Sequence, residues 1–272
     1  MRELLGEYGN QTFSGEMAKH AAEPIRLIPT LHWKEGEIQF SFVLCRGCYG
    51  KVRDLTEFAK ALNLGLPLTV GRSRNIPVLH VDLFAKEDRE LVRTVKNMVL
   101  DEVENSDPRQ RSRELRLAGD GMLLPDRSGL DRIMDLLAGK SVEVIPDGIN
   151  ACGRMVVVRN HRLSLVIERA GRDAVSLRVE EPFCCARGRD WFYLCTQTTI
   201  YRCDTSFLNG AGRLLMAMEK NGRHREVFIQ DRELPGFYEF YEREVKSAFR
   251  VELRDVDMED YKPQSFTAEF YV

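Results

Sequence analysis

The sharpest chemical motif in the sequence is Cys45-Arg46-Gly47-Cys48, two thiols at the spacing used by zinc knuckles and dithiol redox pairs. A closed zinc site needs four ligands. The other cysteines, Cys152, Cys184, Cys185, Cys195 and Cys203, contain no second pair at that spacing, and none of His20, His32, His80, His161 and His224 sits beside one. A redox pair wants its first thiol at a helix N-terminus, where the dipole lowers the pKa. Here the motif follows a strand pattern and precedes Tyr49-Gly50, so these cysteines read as structural thiols. The alternative is a site assembled in space: Cys195 and Cys203 face each other across a proposed hairpin, with Cys184-Cys185 approaching them.

Other constellations fail on spacing. Gly139-Lys140-Ser141 resembles the end of a phosphate-binding loop, but that rule needs a glycine where Met134 stands. The segment also runs from helix into strand, the reverse of the order that aims a helix dipole at an anion. No Gly-x-Ser-x-Gly elbow is present, and the histidines are scattered. The expectation is therefore no catalytic residue, no metal and no cofactor.

Two basic clusters are candidates for nucleic-acid contact. The first is Arg109, Arg111, Arg113 and Arg116; the second is Arg187-Gly188-Arg189-Asp190-Trp191, which sets guanidinium groups beside an aromatic ring able to stack on a base. The competing reading of the second is a solvated loop entering a strand whose tryptophan joins the core. Globally, 30% charged residues cancel to a formal net of -2 over 272 residues, so any DNA contact has to be local.

The elements that must position these groups follow from periodicity. Residues 25–45 read as two strands around Glu35-Gly36, with Ile38, Phe40 and Phe42 alternating. Asp54 caps a short amphipathic helix stopped by Gly65-Leu66-Pro67. Leu91, Val92, Val95, Met98, Val99 and Val103 share one face of a helix over 88–103. A third helix over 130–137 is closed by Gly139, and strands follow at 142–145, 155–158, 163–168 and 174–179. Residues 191–195 and 199–203 read as hairpin arms joined by Thr196-Gln197-Thr198. Helices return at 206–220 and 237–248, and strands at 249–253 and 266–272 bracket the acidic stretch Asp255 to Asp260.

The expected fold is α+β, mainly antiparallel strands with several amphipathic helices, in two subdomains. The divisions are an N-terminal extension (1–24), an N-terminal subdomain (25–118), a C-terminal subdomain (119–254) and a connector strand (255–272). The first fifteen residues lack the apolar stretch of a secretory signal, and no apolar run approaches the roughly 20 residues of a membrane helix. Seven cysteines then read as reduced thiols, and the expected location is cytoplasmic without membrane partners.

Three stretches in order resemble the helicase-associated region of bacterial SNF2-type proteins. The first is Ile28-Pro29-Thr30-Leu31-His32-Trp33, then Ile38 to Leu44, Tyr49 and Asp54-Leu55-Thr56-Glu57-Phe58. The second is Leu130 to Lys140, followed by strands through Tyr193 and Ile200-Tyr201-Arg202-Cys203. The third is Val227-Phe228-Ile229 with Phe237 and Tyr261-Lys262-Pro263. The resemblance implies a non-catalytic accessory region flanking the motor of a superfamily 2 DNA-dependent ATPase, with that motor as partner and DNA as a further contact. The ATPase motifs and the Cys-x-Cys and Cys-x-His pairs of a SWIM finger are absent from this sequence. The rival readings are a stand-alone protein-interaction module and a small thiol or zinc enzyme built on Cys45, Cys48 and the later cysteines.

Overall fold

A computed structural model describes residues 23–34, 36–46, 49–71, 74–105, 117–118, 121–146, 151–157, 162–204, 207, 210–220 and 226–263. The chain is α+β, with mixed but mostly antiparallel strands, and it divides into two compact units. Of the described residues, the first comprises those up to His32 and from Ile38 to Leu137; the second comprises those of Trp33–Glu37 and those from Ala138 onward. The division thus falls after Leu137, later than the expected 118/119. The reason is that the helix Arg127–Leu137 packs on the first unit's long helix: Gly129 approaches the Met98 methyl so closely that an added Cβ would stand 3.0 Å from it.

In the first unit, β1 (Arg26–Lys34) and β2 (Glu37–Cys45) are hydrogen-bonded neighbours, and β3 (Tyr49–Lys51) pairs with the far end of β2 through Cys45 and Tyr49. Helix α1 (Leu55–Leu64) has the ends its sequence predicts. The Asp54 carboxylate accepts from the Glu57 N–H, and Gly65 takes the left-handed conformation at φ 65°. Leu68–Val70 and Arg74–Ile76 form a small antiparallel ribbon, β4 and β5. Helix α2 (Arg89–Asn105) buries Leu91, Val92, Val95 and Val99 against α1 and α3 (Arg127–Leu137).

Just before α2, Asp88 is nearly inaccessible at 2% exposure. Its carboxylate accepts from Arg26 Nε at 2.6 Å and from the Leu27 N–H at 3.2 Å. A buried carboxylate is tolerable only when satisfied in this way. The ion pair ties the start of β1 to the start of α2, and the hydrogen bond to Asp88 raises the Arg26 pKa.

The short pair β6 (Leu117–Ala118) and β7 (Met122–Leu123) joins the same sheet at Phe40↔Leu123. The turn between them contains Gly121.

In the second unit, β8 (Ser141–Pro146) and β9 (Ala151–Val157) are antiparallel, and β9 runs parallel to β14 (Thr199–Cys203). That strand pairs with β13 (Phe192–Cys195), and β13 with β12 (Cys184–Arg187), both antiparallel. A separate sheet has the order β15 (Glu226–Gln230), β11 (Ala174–Val179), β10 (Ser164–Arg169), β16 (Arg250–Arg254), with β10 and β16 parallel. One apolar cluster joins this sheet's inner face, through Leu165, Ile167, Val175 and Leu177, to Phe192, Leu194 and Cys203. Leu215 and Met218 of α4 (Ala211–Lys220) complete it with Leu234, Tyr241 and Val245.

The helix expected at 237–248 runs as α5 (Leu234–Phe240), a π turn at Tyr241–Val245 and a last short turn, Lys246–Ala248. Within it the Lys246 N–H donates to Tyr241 O, five residues back.

The described part of the expected connector strand is not a strand. Asp257 caps a 3₁₀ turn at Met258–Tyr261 that buries Met258, and the Glu259 carboxylate accepts from the Tyr238 hydroxyl. Arg169 pairs bidentately with Asp231 at 2.7 and 2.6 Å and donates to the Tyr261 hydroxyl. The acidic stretch is therefore folded into this unit. The expected N-terminal extension over 1–22 and the strand expected at 266–272 lie outside the described residues.

Gly121 sits at φ 72°, and a Cβ there would lie 2.2 Å from the Val52 carbonyl oxygen and 2.9 Å from that of Arg53. Gly171 has a similar φ of 76° with open space around it. Gly121→Ala is expected to cost well above 2 kcal/mol and Gly171→Ala about 1 kcal/mol, because only the first adds a backbone collision to the left-handed penalty. Urea denaturation midpoints of the two variants measure the difference, and equal losses would contradict the collision.

Candidate nucleic-acid interface and buried thiols

The arginines at 109, 111, 113 and 116 lie outside the described residues. The second basic cluster lies at the tip of the β12–β13 hairpin. Arg187 pairs with Phe192, and the Gly188 N–H donates to Trp191 O at 2.9 Å, leaving Arg189-Asp190 as a two-residue turn.

Alternation along strands then separates the three predicted residues. Arg187 shares the face of Phe192, which is wholly buried in the core. Its Nε is buried and has no hydrogen-bond partner among the described residues. Trp191, opposite Gly188, belongs to the other face and is half-buried, while Arg189 is exposed on the turn.

The residue that meets Trp191 is Arg202, which sequence reasoning did not single out. Its guanidinium carbon stands 3.8 Å from the indole centroid, a face-on cation–π contact. Arg202 reaches this position because β14 pairs with β13 through Tyr193↔Arg202, diagonal to Trp191. A half-buried indole carrying a guanidinium plane, with a second arginine on the adjacent turn, can stack on an unpaired base and hold a phosphate.

The register also settles the thiols. The Thr196 N–H donates to Thr199 O at 2.9 Å, so the β13–β14 turn is the two residues Gln197-Thr198 rather than the three expected. Cys195 consequently pairs with Ile200, and Cys203 pairs with Phe192 at the far end of the hairpin. The two cysteines expected to face each other lie on opposite faces. Cys195 is instead opposite Cys184 across β12.

Burial pushes the Cys195 thiol up to about 12, with a smaller contribution from Cys184. Burial likewise raises Cys203 to about 12, with Asp204 adding to it. At physiological pH both thiols are neutral, and a neutral thiol is a poor nucleophile. Cys185 serves as a hydrogen-bonding node: its Sγ–H donates to Glu219 Oε2 at 3.0 Å, and its carbonyl accepts the Trp33 indole N–H at 2.9 Å. Among the described residues, no three His, Cys, Asp or Glu side chains converge as a metal set. Cys45 stands at the end of β2, and Cys48 lies outside the described residues.

The first unit carries an open cleft of about 380 Å³ lined by Arg26, Arg46, Lys86 and Arg89 together with Glu23, Asp82 and Glu87. Its charges nearly balance. Arg26 is engaged by Glu87 and Asp88, and Arg89 donates to the carbonyls of Asp82 and Phe84. Among the described residues, no helix is long and apolar enough to cross a membrane.

The raised thiol values have a definite pH consequence. A neutral thiol favoured in the folded state contributes stability that is complete below about pH 9 and is lost as pH rises toward 12. Urea-unfolding stability is therefore expected to fall between pH 9 and 11, and to fall less steeply in a Cys195→Ala/Cys203→Ala variant. An identical pH slope in that variant would remove the two thiols from the account.

No family model matches the chain, and no curated relative or solved structure does either.

Proposed function

We propose that this chain is a non-catalytic accessory region of a bacterial SNF2-type DNA-dependent ATPase, docking on the motor and gripping DNA at the β12–β14 end of its second unit. The order of the three stretches that resemble the helicase-associated region supports the family reading. The Arg202–Trp191 stack beside exposed Arg189 carries the DNA reading. Aromatic and guanidinium planes accept any base, while arginines supply local positive charge that the near-neutral chain lacks as a whole. Single-stranded DNA, whose bases can leave the stack, is the form that such a platform takes best.

The two tryptophans make the test direct. Trp33 is 1% exposed and inside the fold, whereas Trp191 is half-buried at the proposed site, so quenching by DNA reports on Trp191. Titration with a single-stranded oligonucleotide at low salt is expected to quench emission, with affinity falling as salt rises. An Arg189→Ala/Arg202→Ala variant should bind about tenfold more weakly, the loss of about one stacked base and its phosphate. Quenching that is absent, or affinity unchanged in the variant, would remove the DNA contact from the proposal.

A further inference from the structure

We infer that β15 is a homodimerisation strand, which pairs antiparallel with the same strand of a second copy about a two-fold axis through Phe228. The phase of its backbone carries this. The Asp231 N–H donates to Asp173 O at 3.0 Å, which continues the β11–β15 register and makes 231, 229 and 227 the positions that exchange hydrogen bonds with β11. Positions 226, 228 and 230 therefore turn their N–H and C=O groups outward. The Gln230 N–H confirms the phase independently, because it donates to the Glu233 carboxylate rather than to β11. The Phe228 N–H and C=O are taken by no backbone group among the described residues.

Side chains point to the same occupant. Val227 and Ile229 pack against the second unit's core, while Phe228 is 58% exposed on the outer face. The strand reads Glu-Val-Phe-Ile-Gln. Turned on itself about Phe228, it sets Phe228 against the second copy's Phe228, Val227 against Ile229, and Glu226 against Gln230. The backbone bonds between copies are then the pair exchanged at Phe228, since the Gln230 N–H is already held by Glu233, and no like charges oppose each other at the flanking positions.

The opposite edge of the same sheet shows the contrast. Strand β16 carries Arg250, Glu252 and Arg254, with Arg254 held by Glu252 and Glu180. Charges of this kind are how sheets discourage edge pairing. The central position of β15 has an exposed phenyl ring in their place.

Sedimentation equilibrium of the whole chain over roughly 1 to 200 μM tests the inference, since a short strand pair with one aromatic contact belongs in the micromolar range. The wild type should move from monomer mass to twice that mass. Phe228→Lys places like charges at the axis, and Phe228→Pro removes the outward N–H at an edge position where proline is tolerated. Each should raise the dissociation constant at least tenfold, with circular dichroism and urea midpoint unchanged. If the proline variant does not fold, the lysine variant decides.

A wild type that stays monomeric throughout overturns the inference. So does self-association that neither variant weakens, which would place the contact elsewhere. Association weakened by lysine but not by a folded proline variant would replace the strand ladder with a purely side-chain contact and would equally overturn it.

Discussion

The second unit depends on the hydrogen-bond register of β13. With side chains alternating between faces, a slip of one residue would exchange the two faces of a strand. The pairing Cys185↔Leu194 on one side and Leu194↔Tyr201 on the other puts Cys185, Phe192, Leu194 and Cys203 on a single face, which becomes a wall of the core. The same pairing sends Trp191 and Arg202 to the opposite face, where their planes meet. Core and stacking platform are thus two outcomes of one choice. Both faces of β13 are buried, Tyr193 and Cys195 as fully as Phe192 and Leu194, so the register decides which cluster each pair joins, and it is Phe192 and Leu194 that enter the core of the second unit.

The cysteines show how little a residue type says without its surroundings. Cys195 and Cys203 are eight positions apart in a hairpin, a spacing that suggests cooperation in the sequence and yields none in the sheet. Cys185 takes part in polar bonding, but as a donor to Glu219 while its carbonyl holds the indole of Trp33. The part-buried Glu219 carboxylate satisfies the thiol, and the Cys185 carbonyl satisfies the buried indole. Leaving the buried Trp33 indole N–H without that bond would cost about 1–3 kcal/mol.

Much of the fold was legible because its local signals agree with its packing. Helix α2 carries a continuous apolar stripe, α1 carries both a capping aspartate and a terminating glycine, and β11 runs over 174–179 as alternation predicts. The failures share a cause. The length of a hairpin turn is decided by which residue pairs close it, and Thr196-Gln197-Thr198-Thr199 offers similar chemistry at each step. Reading three turn residues where there are two inverted the faces of β14 relative to β13. That single slip placed Cys195 and Cys203 on one face and moved Arg202 to the face away from Trp191. Strand β12 escaped notice because Cys-Cys-Ala-Arg has no alternation of polarity, being buried at its first three positions. The polar, arginine-rich run resembles a linker in the sequence, while the division after Leu137 follows the packing of α3, which is a tertiary fact.

The widened turn at 241–245 has a consequence for how this molecule can vary. A single extra residue is accommodated there as a bulge in the hydrogen-bond ladder, while Tyr238 before it and Phe249 after it remain docked. Excision of one residue from the bulge would convert it to ordinary helix and leave the following turn in nearly the same orientation, because the wider π turn holds one more residue per turn than α-helix does. Length variation among descendants of this sequence should therefore concentrate at that point, with compensating changes at Gly210, whose missing side chain leaves room for the Glu244 carboxylate.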